Sequence, residues 1–437
     1  MPKCNAEQIS FPSFDRRKIE GRFSGGDVSS DGGVMVLREA DRRIGLLEGL
    51  DAVIEDPRDG DQITHAQIDL LRQRVYGLAM GYEDLNDHDS LRRDPVWQSA
   101  VERGDELASS PTLCRLEKRA DRQTAWAMSG VLVDSFVKSF ASAPSELILD
   151  FDATDDRVHG LQSGRAFHAY YGDWCFLPLY VFCGEQLLVS YLRPSNIDGA
   201  RHAWAILKLL TKALRETWPE VKIIFRGDSG FCRWKMLRWC ERNGVDYIVG
   251  QAKNSRLLAQ AKPIMERAAA DFQESQQKQR HFAWIDYAAK SWDRERRVIL
   301  KAEHAVKGPN PRFVVTSLKG DARELYDKIY CARGEMENRI KEQQLGLFAD
   351  RTSASRWWAN QFRLLLSSAA YVLVETIRRV GLVGTELARA QASTIRLKIF
   401  KIGTVILRNT RRIRLFFSSA YPYQELFTKL LTRLSSA

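Results

Sequence analysis

The stretch "IIFRGDSGF", Ile223 to Phe231, runs three apolar residues into a turn that leaves one carboxylate between two glycines. It reads two ways. A strand can end there, with Asp228 or Ser229 capping the next helical turn. Alternatively the carboxylate is a metal ligand at the carboxyl end of a sheet strand, where open α/β sheets bind their ligands. The two readings part company only when the strand's neighbours are known.

Upstream, "ELILDFD", "CFLPLYVFCG" and "EQLLVSYLR" read as strands from Glu146, followed by a helix within "GARHAWAILKLLTKALRETW". Downstream come a short helix in "RWKMLRWCERNG" and the strand "DYIVGQA". Three strands in a meander followed by alternating helix and strand make an α/β sheet of mixed direction. This is the ribonuclease-H-like succession, in which the first strand lies centrally, parallel to the fourth. The ends of "LILDFDATD" and "IIFRGDSGF" then become neighbours about 4.8 Å apart. A two-metal phosphoryl-transfer site, with ions ~3.5 to 4 Å apart, needs carboxylates at that reach. Asp150 and Asp152 share one face of the first strand by its period of two. Asp155 and Asp156 lie beyond it and are expected in solvent or in a turn.

A third carboxylate comes after an interruption. Between Gln251 and Leu318 the chain inserts a charged helical piece and then "HFAWIDYAA", "RERRVILKAEH" and "RFVVTSL", which alternate like antiparallel strands. The core resumes in "ARELYDKIYCARGEMENRIKEQQLGLF", a helical pattern. At 100° per residue Ile329, Met336, Ile340 and Leu347 form an apolar stripe facing the sheet. Tyr330, Glu337, Lys341 and Gln344 border it, with Arg333 between. Glu335 and Glu342 fall on the far side, so Glu337 is the glutamate placed to turn inward.

The rest of the chain is consistent with a large intracellular enzyme on a polyanion. Its 437 residues are 44% apolar, with 11 Trp and 20 Phe, enough for two or three packed modules. Seven cysteines without a CxxC pair suggest neither a disulfide framework nor zinc, and fit a reducing cytoplasm. No apolar leader and no apolar run near 18 residues occurs, so export and membrane insertion are not expected. Charge is unevenly spread. Residues 351–437 hold 15 Lys and Arg against 3 Asp and Glu, whereas residues 1–145 hold 19 against 25. A basic C-terminal fifth points to nucleic acid, with a solvated helical face as the plainer reading.

These residues carry a resemblance. Tyr330, Arg333 and Glu337, spaced by two and three residues, resemble the signature of DDE transposases of the insertion sequence 4 superfamily. "DFDATDDRVHG", "FRGDSGF", "CARGEMENRIKEQQLGLFADRTS" and "ANQFRLLLSSAAYVL" resemble the insertion sequence 1380 family in particular. So do "MGYEDLNDHDSLRRDP", "SSPTLCRLEK" and "TIRLKIFKIG", so the likeness covers nearly the whole chain. It implies Asp152, in a D-x-T pattern with Thr154, Asp228 and Glu337 as catalytic residues and metal ligands, and a β-strand insertion between the last two. The superfamily's lysine falls on Gln344 here, and Lys341, one turn earlier, is the candidate to replace it at the DNA end.

The expected protein is therefore α/β, with a ribonuclease-H-like catalytic core (146–252 and 319–350) and a β-rich insertion (253–318). A mainly helical N-terminal region (1–145) would bind DNA ends or serve assembly. A basic C-terminal region (351–437) would contact DNA or dimerise. The implied activity is cleavage and joining of insertion-sequence ends with two Mg²⁺, for which Mn²⁺ can substitute. The implied partners are double-stranded DNA, at transposon ends and target, and a second copy of the chain in the DNA complex. The setting is a bacterial cytoplasm, with the protein on the nucleoid.

Tyr330 and Arg333 are suited either to grip a DNA phosphate or to orient Glu337. Asn409-Thr410 is expected to turn a hairpin gathering Arg408, Arg411, Arg412 and Arg414 against the phosphate backbone. In the same region Ile395-Arg396-Leu397-Lys398 alternates as a strand would. His159 and His168 read as surface or core histidines, Cys232 and Cys240 as small buried apolar groups. Trp357, Trp358 and Phe362 of "SRWWANQF" read as a packing face, with base stacking as the rival. Two other functions fit the same residues: a nuclease of this fold that cuts without joining, and a non-enzymatic DNA-binding descendant of a transposase.

Overall fold

The structure, a computed structural model, describes residues 8–436. Residues up to 43, 58–114 and 376 onward form one compact unit, and 44–57 with 115–375 form the other. The second unit carries the sheet. Its strands are β1 (Glu146–Ala153), β2 (Leu179–Cys183), β3 (Gln186–Tyr191), β4 (Lys222–Gly227), β5 (Asp246–Gln251), β6 (Gln279–Tyr287), β7 (Arg296–Ala305) and β8 (Arg312–Thr316). They lie side by side as β6-β7-β8-β5-β4-β1-β2-β3, and the two residues Gly308–Pro309 pair onto β7. β4 is parallel to both β1 and β5, and the other pairings are antiparallel. The sheet is thus mixed, in a mixed α/β fold.

The expected parallel neighbours are present, with Ile224 opposite Ile148 and Gly227 opposite Phe151. The strands read as an insertion are β6, β7 and β8, and β8 pairs with β5, so they lengthen the core sheet. The stretch "CFLPLYVFCG" is divided at Pro178, which has no N–H for the ladder. Cys175 and Phe176 belong instead to a small three-stranded sheet made by residues 156–176.

Alternation sorts the strands into two faces. Leu147, Leu149, Phe151, Ile223, Phe225 and Val249 point to one, where they pack with helices α1 (Arg122–Lys138), α2 (Ala203–Thr217), α3 (Trp234–Arg242) and α4 (Ser255–Ser275). Phe151 and Phe225 are fully buried, ring against ring edge at 5.1 Å. Truncating such a side chain to Ala costs about 3–5 kcal/mol, so this layer fixes the strand ends firmly. Ile224, Ile248, Ile299 and Val314 point to the other face, toward Leu318, Ala322, Leu325 and Tyr326. The chain continues from there into α5 (Gly334–Lys341). Helix α6 (Trp357–Thr376) is tied to the far strands by Gln361, whose Oε1 accepts from Leu192 N at 2.7 Å, and by Tyr371 against Phe182.

The pattern "VMVLREADRRIGLLEGL" is broken at Gly45, whose φ of 62° no β-carbon residue adopts readily, so the helix Val34–Ile44, most of which lies in the first unit, ends there. A buried polar group holds the unit together: Asp31 accepts from Tyr82 Oη at 2.6 Å, Trp97 Nε1 at 2.9 Å and Lys401 Nζ at 2.8 Å. The hairpin at Asn409 is present, with Thr404–Arg408 antiparallel to Ile413–Phe417. Asn409 Oδ1 caps the turn by accepting from Arg411 N and Arg412 N. The strand expected at Ile395–Lys398 is not there. Residues 392–400 are helical, and Arg396 is turned inward to the carbonyls of Leu78 and Ala79.

Candidate active site

Parallel register builds the site. Arg226 on β4 lies directly opposite Asp150 on β1, and the two form a buried, two-pronged ion pair through Nε and Nη2. The register ends with Gly227 opposite Phe151; the residues that follow these two are Asp228 and Asp152, close enough for their charges to repel. Arg226 also donates through Nη1 to the carbonyl of Ile329, which binds the sheet to the residue before Tyr330. The Asp150–Arg226 pair was missed from sequence. Its signal is there, because acid and base stand at the same offset, two residues ahead of Asp152 and Asp228.

Residues 322–346 are helical but irregular. π-helical turns at Leu325–Tyr330 and Glu342–Gly346 flank the regular turns of α5. Met336, Ile340 and Leu347 are buried as the stripe requires, and Glu335 is exposed. Glu342 departs from expectation: it is buried, because a wide π turn rotates the chain away from 100° per residue.

Arg333 is the centre of the site. Its Nη1 donates to Asp152 Oδ2 and its Nη2 to Glu337 Oε1, each at 3.0 Å. The i, i+4 spacing puts Arg333 and Glu337 one above the other on the helix, and Glu337 is half exposed while Arg333 and Asp152 are largely covered. Burial raises the Asp152 carboxyl to about 6, although Arg333 opposes the shift, and Asp228 and Glu337 add repulsion. Burial also raises the Tyr330 hydroxyl, with Asp228 reinforcing and Arg333 opposing. Tyr330, Arg333, Asp152, Asp228 and Glu337 thus share one electrostatic neighbourhood.

The capping reading of Asp228 is the one the contacts show. Its Oδ1 accepts from Gly230 N at 2.8 Å, capping the turn Ser229–Phe231. Gly250 at the end of β5 is also required. A β-carbon there would stand 2.6 Å from Tyr330 Oη and 2.9 Å from Ser229 N, so only glycine lets the Tyr330 hydroxyl approach the Asp228 turn.

Among the described residues no group of three or more His, Cys, Asp and Glu side chains is drawn together closely enough to enclose a cation. Instead Arg333 supplies positive charge among the acids. The donor set still suits a hard divalent ion in kind, since it consists of carboxylate oxygens and their mutual repulsion is what a cation relieves.

The other candidates separate clearly. Lys341 is exposed on α5. Gln344 is engaged, donating to Asp156 Oδ1 at 2.7 Å and to the carbonyl of Asp155 at 3.0 Å. Asp156, expected in solvent or a turn, is fully buried, because the two residues Asp156–Arg157 pair with the strand Asp173–Phe176. His159 is exposed and His168 packs on Tyr171. Burial pushes the Cys232 and Cys240 thiols up to about 12, keeping them protonated. Trp357 packs edge to face on Phe176 at 5.3 Å and against Gly164, and Phe362 is buried, as a packing face requires. In the first unit Arg411, Arg412 and Arg414 are exposed near the hairpin tip, and Arg408 donates to Gln98 Oε1 at 2.6 Å.

An Asp at the end of each of two parallel neighbours, joined by a Glu from a later helix, is the carboxylate set of the DDE class of DNA-rearranging enzymes. The chain belongs to the family described as transposase DDE domain group 1, whose model matches residues 11–437. It is a transposase with a DDE motif, of the kind that carries out DNA transposition and recombination, and such enzymes generally use divalent metal ions. Among solved structures, the synaptic complex of piggyBac transposase with hairpin DNA, determined by cryo-electron microscopy, is similar at a TM-score of 0.44 and 9% identity. That likeness covers 94% of this chain and 82% of the other. Among curated proteins there is no match. No helix among the described residues is long and apolar enough to cross a membrane.

Proposed function

We propose that this transposase belongs to the insertion sequence 1380 family and uses a ribonuclease-H-like core to cut and join the ends of its own insertion sequence. The observation that carries the proposal is Arg333 bridging Asp152 and Glu337 beside the Asp228 turn. That arrangement puts two carboxylates on one guanidinium, beside the turn that carries the third acid, where a phosphodiester would be attacked.

In-line attack at phosphorus builds charge on the nonbridging and leaving oxygens. Divalent ions, Mg²⁺ or Mn²⁺, supply activation of water or a 3′-hydroxyl and stabilise the leaving oxygen. Asp152 must lose its proton to serve as a ligand, and its repulsion from Asp228 and Glu337 favours a cation there. Arg333 is poised to exchange a carboxylate for a phosphate oxygen, because its planar fork fits either. Tyr330, next to the Asp228 turn, is placed to donate to the same phosphate. Asp150 and Arg226 hold the two strand ends in register.

The proposed partners are double-stranded DNA at transposon ends and target, and a second copy of the chain in the DNA complex. The proposed setting is a bacterial cytoplasm, on nucleoid DNA. Residues 1–145 and 351–437 would grip DNA or serve assembly. The test is to incubate the protein with a labelled duplex bearing one end of its insertion sequence, target DNA and Mg²⁺. The expected products are a nick at the end and a joined strand. Cutting without joining would favour a nuclease, and binding without either would favour an inactive descendant.

A further inference from the structure

Gln344 stands where the resemblance calls for a lysine at the DNA end, yet its amide is committed elsewhere. A glutamine NH₂ carries two hydrogens, and Nε2 of Gln344 has two acceptors, Asp156 Oδ1 and the carbonyl of Asp155. No donor is left over for a phosphate. Asp156 is fully buried, and its second oxygen has no hydrogen-bond partner, so Gln344 is what satisfies this carboxyl. Without that bond neither oxygen of a buried polar group would be paired, which a packed interior tolerates poorly.

The placement of the pair gives it a purpose. Asp156 follows Asp152 by four residues, and Gln344 follows Glu337 by seven on one continuous helical segment. One side-chain contact therefore joins the strand end that carries the first acid to the helix that carries the third. The Arg333 bridge joins the same two elements at the acids themselves.

We propose that Gln344 and Asp156 form a positioning contact that keeps the strand end bearing Asp152 and the helix bearing Glu337 together, so that their carboxylates can close on a divalent ion, and that Gln344 does not contact DNA. The inference rests on the transposase reading for its purpose, but its test does not depend on DNA cleavage. Asp156→Asn keeps both the shape of the side chain and an acceptor oxygen for Gln344, and burial already disfavours the charged form of the Asp156 carboxyl.

The experiment compares full-length wild type, Gln344→Ala, Asp156→Asn and Asp156→Leu. Mn²⁺ binding is measured by titration calorimetry, and affinity for a plain duplex by fluorescence anisotropy in EDTA. Removing a group that orients metal ligands typically weakens metal binding by about 10- to 100-fold. Gln344→Ala and Asp156→Leu should fall in that range, with Asp156→Asn near wild type and duplex affinity unchanged throughout. If Asp156→Leu fails to fold, the contrast between Gln344→Ala and Asp156→Asn still decides. Weaker duplex binding by Gln344→Ala with intact Mn²⁺ binding would overturn the proposal in favour of a DNA contact. Unchanged Mn²⁺ binding in Gln344→Ala, or none in wild type, would overturn it too. A wild type that binds Mn²⁺ but never cuts DNA would count against the transposase chemistry and leave the positioning role standing.

Discussion

At the end of β1, Asp152 is largely buried, bonded by Arg333 and repelled by two other acids. At the tip of the hairpin formed by Thr404–Arg408 and Ile413–Phe417, Arg411 and Arg412 stand exposed on a turn capped by Asn409. Both places are charged, but they are built for different uses. A buried charge has an energy set by a few named partners, so moving one atom or one proton alters it strongly. An exposed charge is screened by water and salt, so its worth is small, additive and indifferent to the sequence of the duplex it touches. The first kind suits chemistry and the second suits grip.

The larger expected effect is at Asp152. Its folded carboxyl keeps a proton up to about pH 6, whereas an unfolded Asp releases its proton near pH 4. The unfolded state therefore binds fewer protons between those values, and the metal-free fold loses stability as pH rises through that window. That difference corresponds to roughly 3 kcal/mol. In EDTA at pH 8, Asp152→Asn should be more stable than wild type by up to that amount, and the gap should close toward pH 4. Urea denaturation at both pH values checks it. A variant less stable than wild type at pH 8 would show that the Arg333 pair outweighs burial, and the contrast between the two regions would weaken.

A smaller, graded effect is expected at the hairpin. Changing Arg411, Arg412 and Arg414 together to Ala should weaken binding to transposon-end and unrelated duplexes by similar factors. Removing each phosphate contact should flatten the slope of log affinity against log salt by roughly 0.9. Anisotropy over a salt series checks this. An unchanged slope, or weakening confined to the transposon end, would mean that these arginines read something other than backbone.

Legibility in the sequence divides along the same line. Strand alternation puts Asp150 and Asp152 on one face, and helical periodicity puts Glu337 over Arg333. The choice of Asp152, Asp228 and Glu337 as a set comes from the resemblance, and the parallel pairing of β1 with β4 joins residues 76 positions apart. Glu342 is misplaced by periodicity because a π turn interrupts the helix, and no residue type announces that. Asp156 is misplaced because a two-residue strand buries it. The need for glycine at Gly250 arises from Tyr330, 80 positions away, and only the folded chain brings them together. The segment Ile395–Lys398 alternates like a strand, but burial of Arg396 against two carbonyls suits a helix instead.

Asp152, Asp228 and Glu337 are proposed to act as one site in which the neighbouring glutamates take no part. The most direct measurement is Mg²⁺-dependent nicking of a transposon-end duplex by Asp152→Asn, Asp228→Asn, Glu337→Gln and Glu335→Gln, with duplex binding measured alongside. The expected result is that the first three lose nicking and keep binding, while Glu335→Gln retains both. Nicking that survives in Glu337→Gln, or disappears in Glu335→Gln, would contradict that claim.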